Sequence, residues 1–251
     1  VVRAVKIVAY MPVFNEVDVL PWVLAHMHEQ GIRVHALDGW STDGSYELLQ
    51  CAGTGVTVER SPADRDDGIW NCRRTLARIE DLAAKSDADW CYLSDADEFR
   101  RTLRPGETLA QGIARIDAQG YNVIDHIVFD FRCTDGGWRG NPENYFRYYN
   151  RTDMICRIPQ EKAWKNLGRV NLVDRGGHVV KFPGKNVAPE KFVMKHYAFR
   201  NPKQARLKIE TRLARRCKAE HDQGWGVHYD QFQPGFSFCW DPDKLLEWKQ
   251  P

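Results

Sequence analysis

In the first hundred residues of the chain, short runs of β-branched and aromatic residues alternate with longer stretches of helical periodicity. That alternation specifies βαβ units and a mostly parallel sheet, because parallel strands need a crossover that a helix supplies. Val5 to Ala9 reads as the first strand, Arg33 to Leu37 as the second, Val56 to Glu59 as the third and Trp90 to Ser94 as the fourth. Between them, Asp18 to Gln30 reads as a helix with Pro21 in its first turn and Gly31 just past its end. A short helix ends at Gln50, and a long one runs from Asp67 to Lys85.

Beyond residue 100 the pattern loosens. A helix is expected near Thr108 to Gln119, a strand pair across Asn122 to Phe131 and Tyr145 to Arg151, and a helix from Lys203 to Lys218. That last helix carries Ala205, Ile209, Leu213 and Cys217 as an apolar stripe, with seven Lys or Arg against one Glu elsewhere. The stripe implies a solvated basic surface, and Arg206, Arg212, Arg215 and Arg216 suit anionic lipid headgroups as a peripheral membrane contact.

Composition narrows the class. A chain of 251 residues, 43% hydrophobic and 28% charged, can bury the core of one large α/β domain. No run reaches 18 apolar residues and the first residues carry no secretory pattern, so the expected location is cytoplasmic. Seven scattered cysteines without a CxxC pair read as reduced thiols. The net charge of +2 gives no field for nucleic acid, but residues 1–125 hold 13 Lys and Arg against 20 Asp and Glu, and residues 126–251 hold 23 against 14. An acidic half suits a metal and a basic half an anion.

In an open parallel sheet, ligands bind beyond the carboxyl ends of the strands, where strand order reverses. Here those ends read Met11-Pro12-Val13-Phe14-Asn15-Glu16 after the first strand, Asp38 after the second, and Asp95-Ala96-Asp97-Glu98-Phe99 after the fourth. Asp and Asn also serve turns and helix caps, so each position alone has a purely structural reading. Two carboxylates one residue apart at a chain turn suit a hard divalent cation, Mn²⁺ or Mg²⁺, which would neutralise a diphosphate. No GxGxxG follows the first strand and no GxxxxGK[ST] occurs, which argues against a dinucleotide oxidoreductase and a P-loop enzyme.

The segments PVFNE, LDGWSTDGS and WCYLSDADEF, in that order and spacing over residues 5–100, resemble the nucleotide-binding half of a family 2-like glycosyltransferase with the GT-A fold, of the subgroup whose motif reads DADEF. The resemblance implies one GT-A-like domain over residues 1–251: a nucleotide-sugar-binding half at 1–99, and an acceptor-binding half with the C-terminal helix at 100–251. It implies sugar transfer from a nucleotide-sugar donor to a glycan or lipid-linked acceptor, in surface polysaccharide or glycolipid synthesis. Pro12, Phe14 and Glu16 would lie near the base, Asp38 on the base or ribose, and Asp95, Ala96 and Asp97 at the metal and diphosphate. His196, in KHYAFR, is the implied third metal ligand, with His178 as the competing choice. Arg73 or Arg74 would contact the nucleotide or diphosphate, and Asp66 and Asp67 would contact the base or cap the long helix.

An inverting transferase also needs a carboxylate to take the acceptor's proton. The family's Glu-Asp pair is missing downstream, which leaves Glu161 first and Asp135 second as the base. Among nine tryptophans, Trp138 and Trp164 stand in polar, loop-like contexts and are the acceptor-stacking candidates. A sugar nucleotidyltransferase and a catalytically silent nucleotide-sugar or glycan-binding module are the alternatives.

Overall fold

The computed structural model describes residues 5–62, 68–150, 158–233 and 235–249. Four strands, β1 (Ile7–Val13), β2 (Arg33–Asp38), β3 (Val56–Arg60) and β4 (Trp90–Leu93), pair in parallel in the order β3-β2-β1-β4. Beyond β4 the sheet continues through β9 (Ala163–Lys165) to β6 (Val123–Ile124), both pairings antiparallel. The mostly parallel sheet expected from the sequence is thus mixed at one side.

Side-chain alternation along β1 explains the layers. Ile7, Ala9, Met11 and Val13 pack on one face against Leu20, Val23, Leu24 and Met27 of α1 (Leu20–Glu29) and Ile113 and Ile116 of α4 (Leu109–Ala118). Val8 and Tyr10 face the other way, toward Leu76, Ile79 and Ala83 of α3 (Cys72–Lys85). A strand buried on both faces explains why VKIVAYMPV is apolar almost throughout. Local signals set the helix starts: Asn71 accepts from Arg74 N at 2.9 Å to begin α3, and Thr108 and Gln111 form a capping box on α4. A short α2 (Ser45–Gln50) packs beside β2 and β3.

A second sheet has the order β11-β8-β7-β10-β5, built from β5 (Glu98–Arg101), β7 (His126–Phe131), β8 (Tyr148–Asn150), β10 (Phe192–His196) and β11 (Leu246–Glu247). Since β4 ends at Leu93 and β5 begins at Glu98, the Ser94–Asp97 segment carries the chain from one sheet into the other. Register then aligns His196 with Glu98 on one side and Asp130 on the other.

After the four-residue α5 (Pro142–Tyr145), α6 (Pro202–Ala214) starts at Asn201, which accepts from Gln204 N. The sequence suggests one helix from 203 to 218, but α6 stops at Ala214 and a separate turn, α7 (Lys218–His221), follows. The carbonyl of Arg215 accepts from Trp70 N at 2.7 Å, so the end of α6 is tied to the approach to α3. Ala205 and Ile209 are buried as expected. Among the described residues, no helix is long and apolar enough to cross a membrane.

Candidate active site

Strand order reverses at β1: the chain moves outward from β1 to β2 and β3, then returns through α3 to β4 on the opposite side of β1. The loops after β1 and β4 therefore flank the crevice where a sheet of this kind takes its ligand.

The loop after β1 is fixed by the turn after β2. Asn15 N donates to Ser41 Oγ at 3.0 Å, Glu16 N to Ser45 Oγ at 2.9 Å and Val17 N to Asp43 Oδ2 at 3.0 Å, while Thr42 N donates back to Asn15 Oδ1 at 2.8 Å. Short hydroxyl and carboxylate side chains fill WSTDGS for this reason. Asn15 has φ 53°, a left-handed conformation that asparagine tolerates better than most residues. Pro12 lies within β1 opposite Leu37. Asp38, at the end of β2, is fully buried; its Oδ2 accepts from Arg60 Nη1 at 2.5 Å and from Ser41 N at 3.0 Å. Its Oδ1 is buried and accepts no hydrogen bond among the described residues.

The Asp-Ala-Asp turn splits its two carboxylates between different cations. Asp97 is buried, with Oδ2 2.7 Å from Lys208 Nζ and Oδ1 3.6 Å from His196 Nε2. Burial opposes ionisation of Asp97, but Lys208 first, then His196 and Arg200, hold its carboxyl well below the usual carboxylate range. The Asp95 side chain is 51% exposed, 3.5 Å from Lys162 Nζ, and Ala96 between them is buried. Lys162 also meets Glu98 at 2.7 Å, and Arg100 pairs with the same glutamate. Glu16, which the family resemblance would put near a nucleotide base, is buried and accepts from Lys208 Nζ at 2.6 Å and Arg200 Nη2 at 2.5 Å. Arg200 reaches Asp18 as well, at 2.8 Å.

His196 Nδ1 lies 3.3 Å from Asp130 Oδ1. Burial would lower its pKa, yet Asp97 and then Asp130 raise it to about 9. Among the described residues, no three His, Cys, Asp or Glu side chains stand arranged to hold a metal ion. Asp97 is paired with an ammonium as placed, so a divalent cation at Asp95, Asp97 and His196 would have to displace Lys208.

The basic helix α6 is a wall of this crevice and not a freely solvated surface. Lys208, Arg212 and Arg215, spaced by four and three residues, face inward together. Arg215 lies 3.7 Å from the Phe14 ring and donates to the carbonyls of Gly68 at 2.8 Å and Gly39 at 3.0 Å. The helix spacing carries this signal, but an apolar stripe at 205, 209 and 213 draws the eye first. Lys208, Arg200, Lys162 and Arg60 are the residues that a reading of strand ends alone passes over.

Other sequence candidates lie apart or in other roles. Arg73 donates to Gln223 Oε1 at 2.6 Å and covers the Trp225 ring, while Arg74 is exposed. Asp66 and Asp67 lie outside the described residues. Glu161 pairs with Lys185 at 2.7 Å, while its neighbour Lys162 meets Glu98 and Asp95. Asp135 accepts from Tyr145 Oη at 2.5 Å and from Gly137 N at 3.0 Å; the phenol first holds its carboxyl below the usual range. His178 Nδ1 is 3.0 Å from Gln160 Oε1, and burial first, then Lys162, lower its pKa to about 4. Trp138 is 8% exposed, its ring 5.8 Å from Arg200, so it backs the ion cluster. Trp164 is not in a loop: it lies in β9 between β4 and β6 with no exposed surface, and no sugar can stack on it.

No family model matches the sequence, and no curated protein matches it. Among solved structures, the chain is similar to residues 1–349 of Staphylococcus aureus TarS in complex with UDP, at 14% identity and a TM-score of 0.46, over 92% of this chain and 72% of that one. It is also similar to the mannosyltransferase PcManGT from Pyrobaculum calidifontis in complex with GDP-Man and Mn²⁺, at 14% identity and a TM-score of 0.49, over 78% and 58%. Glucosyl-3-phosphoglycerate synthase from Mycobacterium tuberculosis in complex with Mn²⁺, UDP and glucosyl-3-phosphoglycerate matches at 13% identity and a TM-score of 0.34, over 49% of this chain and 44% of that one. The chain spans 44% of the longer TarS structure.

Proposed function

We propose that the protein is a family 2-like, GT-A-type glycosyltransferase that binds a nucleotide-sugar donor across the carboxyl ends of β1, β2 and β4 and transfers the sugar, with inversion, to a glycan or lipid-linked acceptor. One observation carries this reading: at the point of strand-order reversal Asp38, Asp95 and Asp97 meet the cations of Arg60, Lys162 and Lys208, the last of them from a helix far along the chain. That combination of ring-lined crevice, acids and cations suits a nucleoside diphosphate, whose base, ribose and phosphates need different partners.

Roles follow from the chemistry of each group. Asp38 Oδ1, buried without a partner, is an acceptor for a ribose hydroxyl or base N–H, which would remove the cost of an unsatisfied buried acceptor. Phe14 and Arg215, at 3.7 Å, form a flat face beside it for the base. Cationic side chains in a water-poor crevice stabilise the charge that develops on a departing diphosphate, and they do so without reorganising. Mn²⁺ or Mg²⁺ would reach Asp97 only by exchange with Lys208 Nζ, now at 2.7 Å. Glu161 and Asp135 stay as the proposed proton acceptors; Glu161 must first part from Lys185.

The test is nucleoside diphosphate release from a panel of nucleotide sugars, with glycan and lipid-linked acceptors supplied. Asp97→Asn should lower turnover by orders of magnitude. Tight donor binding without turnover by the wild type would favour the silent module, and pyrophosphate exchange with a sugar phosphate would favour the nucleotidyltransferase.

A further inference from the structure

Two cations on α6 and a third at its C-terminal end meet the crevice in three ways. Lys208 is engaged by Glu16 and Asp97, and Arg215 by the carbonyls of Gly39 and Gly68. Arg212 is held by rings: its guanidinium carbon lies 4.0 Å from the Trp70 ring centroid and 5.3 Å from that of Tyr229. Among the described residues, no carboxylate or carbonyl accepts a hydrogen bond from it. Burial would lower its pKa, but Tyr229, Asp95 and Glu16 among its neighbours raise it, which sets the charge between the loops after β4 and β1.

A guanidinium offers five N–H donors in one plane, and its faces bind aromatic rings while its edge binds oxyanions. Ring contacts therefore satisfy Arg212 only in part and leave the donor edge unmatched. They also fix the plane of the guanidinium, so little side-chain freedom is lost when an anion binds. The Trp70 backbone is itself tied to the end of α6, its amide N–H donating to Arg215 O at 2.7 Å.

We propose that Arg212 binds the diphosphate of the donor, its planar edge taking phosphate oxygens while Trp70 and Tyr229 hold the guanidinium in place. The assignment rests on the nucleotide-sugar reading of the crevice. It gives α6 a function that neither a solvated surface nor a lipid contact would require.

Calorimetric titration of the whole chain with UDP, GDP, CDP and dTDP, with the matching nucleosides, and with inorganic pyrophosphate tests it. Arg212→Gln should weaken nucleoside diphosphate and pyrophosphate binding roughly ten- to a hundredfold, as loss of charge-assisted hydrogen bonds does, and leave nucleoside binding unchanged. Arg212→Lys should recover part of the loss, and Arg206→Gln, on the exposed side of the same helix, should change nothing. In wild-type protein, phenylglyoxal should label Arg212, and pyrophosphate should protect it.

A folded Arg212→Gln protein that binds diphosphates like the wild type overturns the assignment, as does labelling that pyrophosphate does not reduce. Wild type that binds pyrophosphate but no nucleoside diphosphate overturns the donor reading and leaves the anion site standing. Wild type that binds neither overturns both.

Discussion

The ammonium of Lys208 sits 2.7 Å from Asp97 Oδ2, so a helix 111 residues further along the chain closes on the turn that joins the two sheets. The same ammonium reaches Glu16 Oε1 at 2.6 Å, which joins the loops after β1 and β4 through one side chain. Removing it leaves two buried carboxylates short of a cation. Lys208→Met should therefore destabilise the fold by about 3–5 kcal/mol. Adding Asp97→Asn should return part of that loss, because the stranded charge is gone. Denaturant unfolding of the single and double variants measures both.

Lys208 also competes with any cation for Asp97. Free Mn²⁺, followed by electron paramagnetic resonance, should bind the nucleotide-free wild type weakly and folded Lys208→Ala more tightly. Equal affinity would mean that the ammonium does not guard Asp97.

Asp38 is a buried charge whose ionic partner among the described residues is Arg60. Asp38 has no exposed surface and takes its cation from Arg60 at 2.5 Å, while the guanidinium lies 3.7 Å from the Tyr46 ring. Arg60→Ala should cost about 3–5 kcal/mol, through the unpaired carboxylate more than through lost packing. The midpoint of urea unfolding reports it, and Arg60→Lys should fall between.

His126 gives the stability a pH dependence. It is buried, bonded to Gln160 O at 2.8 Å and to the Tyr92 hydroxyl, and burial first, then Arg100, depress its pKa from 6.5 to about 3. The folded protein keeps this ring neutral while the unfolded chain protonates it below pH 6.5. Its contribution is therefore complete above that pH and is lost as pH falls toward 3. Unfolding free energy measured across this range should fall less steeply for His126→Gln than for wild type.

The strands β1 to β4 and their acidic ends were legible because their signals are local: a doubly buried strand reads as VKIVAYMPV, and a turn needing left-handed backbone reads as Asn or Gly. Two boundaries moved for tertiary reasons. β1 runs on to Val13 because β2 pairs with it as far as Asp38, and α6 stops at Ala214 because Trp70 takes the Arg215 carbonyl. The second sheet was mostly hidden, since β5, β10 and β11 are short and find partners far along the chain. In the site, Glu16, Asp38, Asp95, Asp97 and His196 could be picked out as polar groups at strand ends. The cations that meet them could not be, because the Glu16–Lys208 pair spans 192 residues and no local pattern encodes it. Trp164 failed for a similar reason: polar neighbours in sequence disguise a central strand.

Thermal unfolding with UDP, GDP, dTDP, CDP and their nucleotide sugars, each with and without Mn²⁺, tests the central claim most directly. One nucleotide class at a hundred times its dissociation constant should add about 2.7 kcal/mol to the unfolding free energy of the wild type. Asp97→Asn should abolish or sharply reduce that gain. No stabilisation by any nucleotide, with or without metal, would contradict the assignment of the strand-end crevice as a donor site.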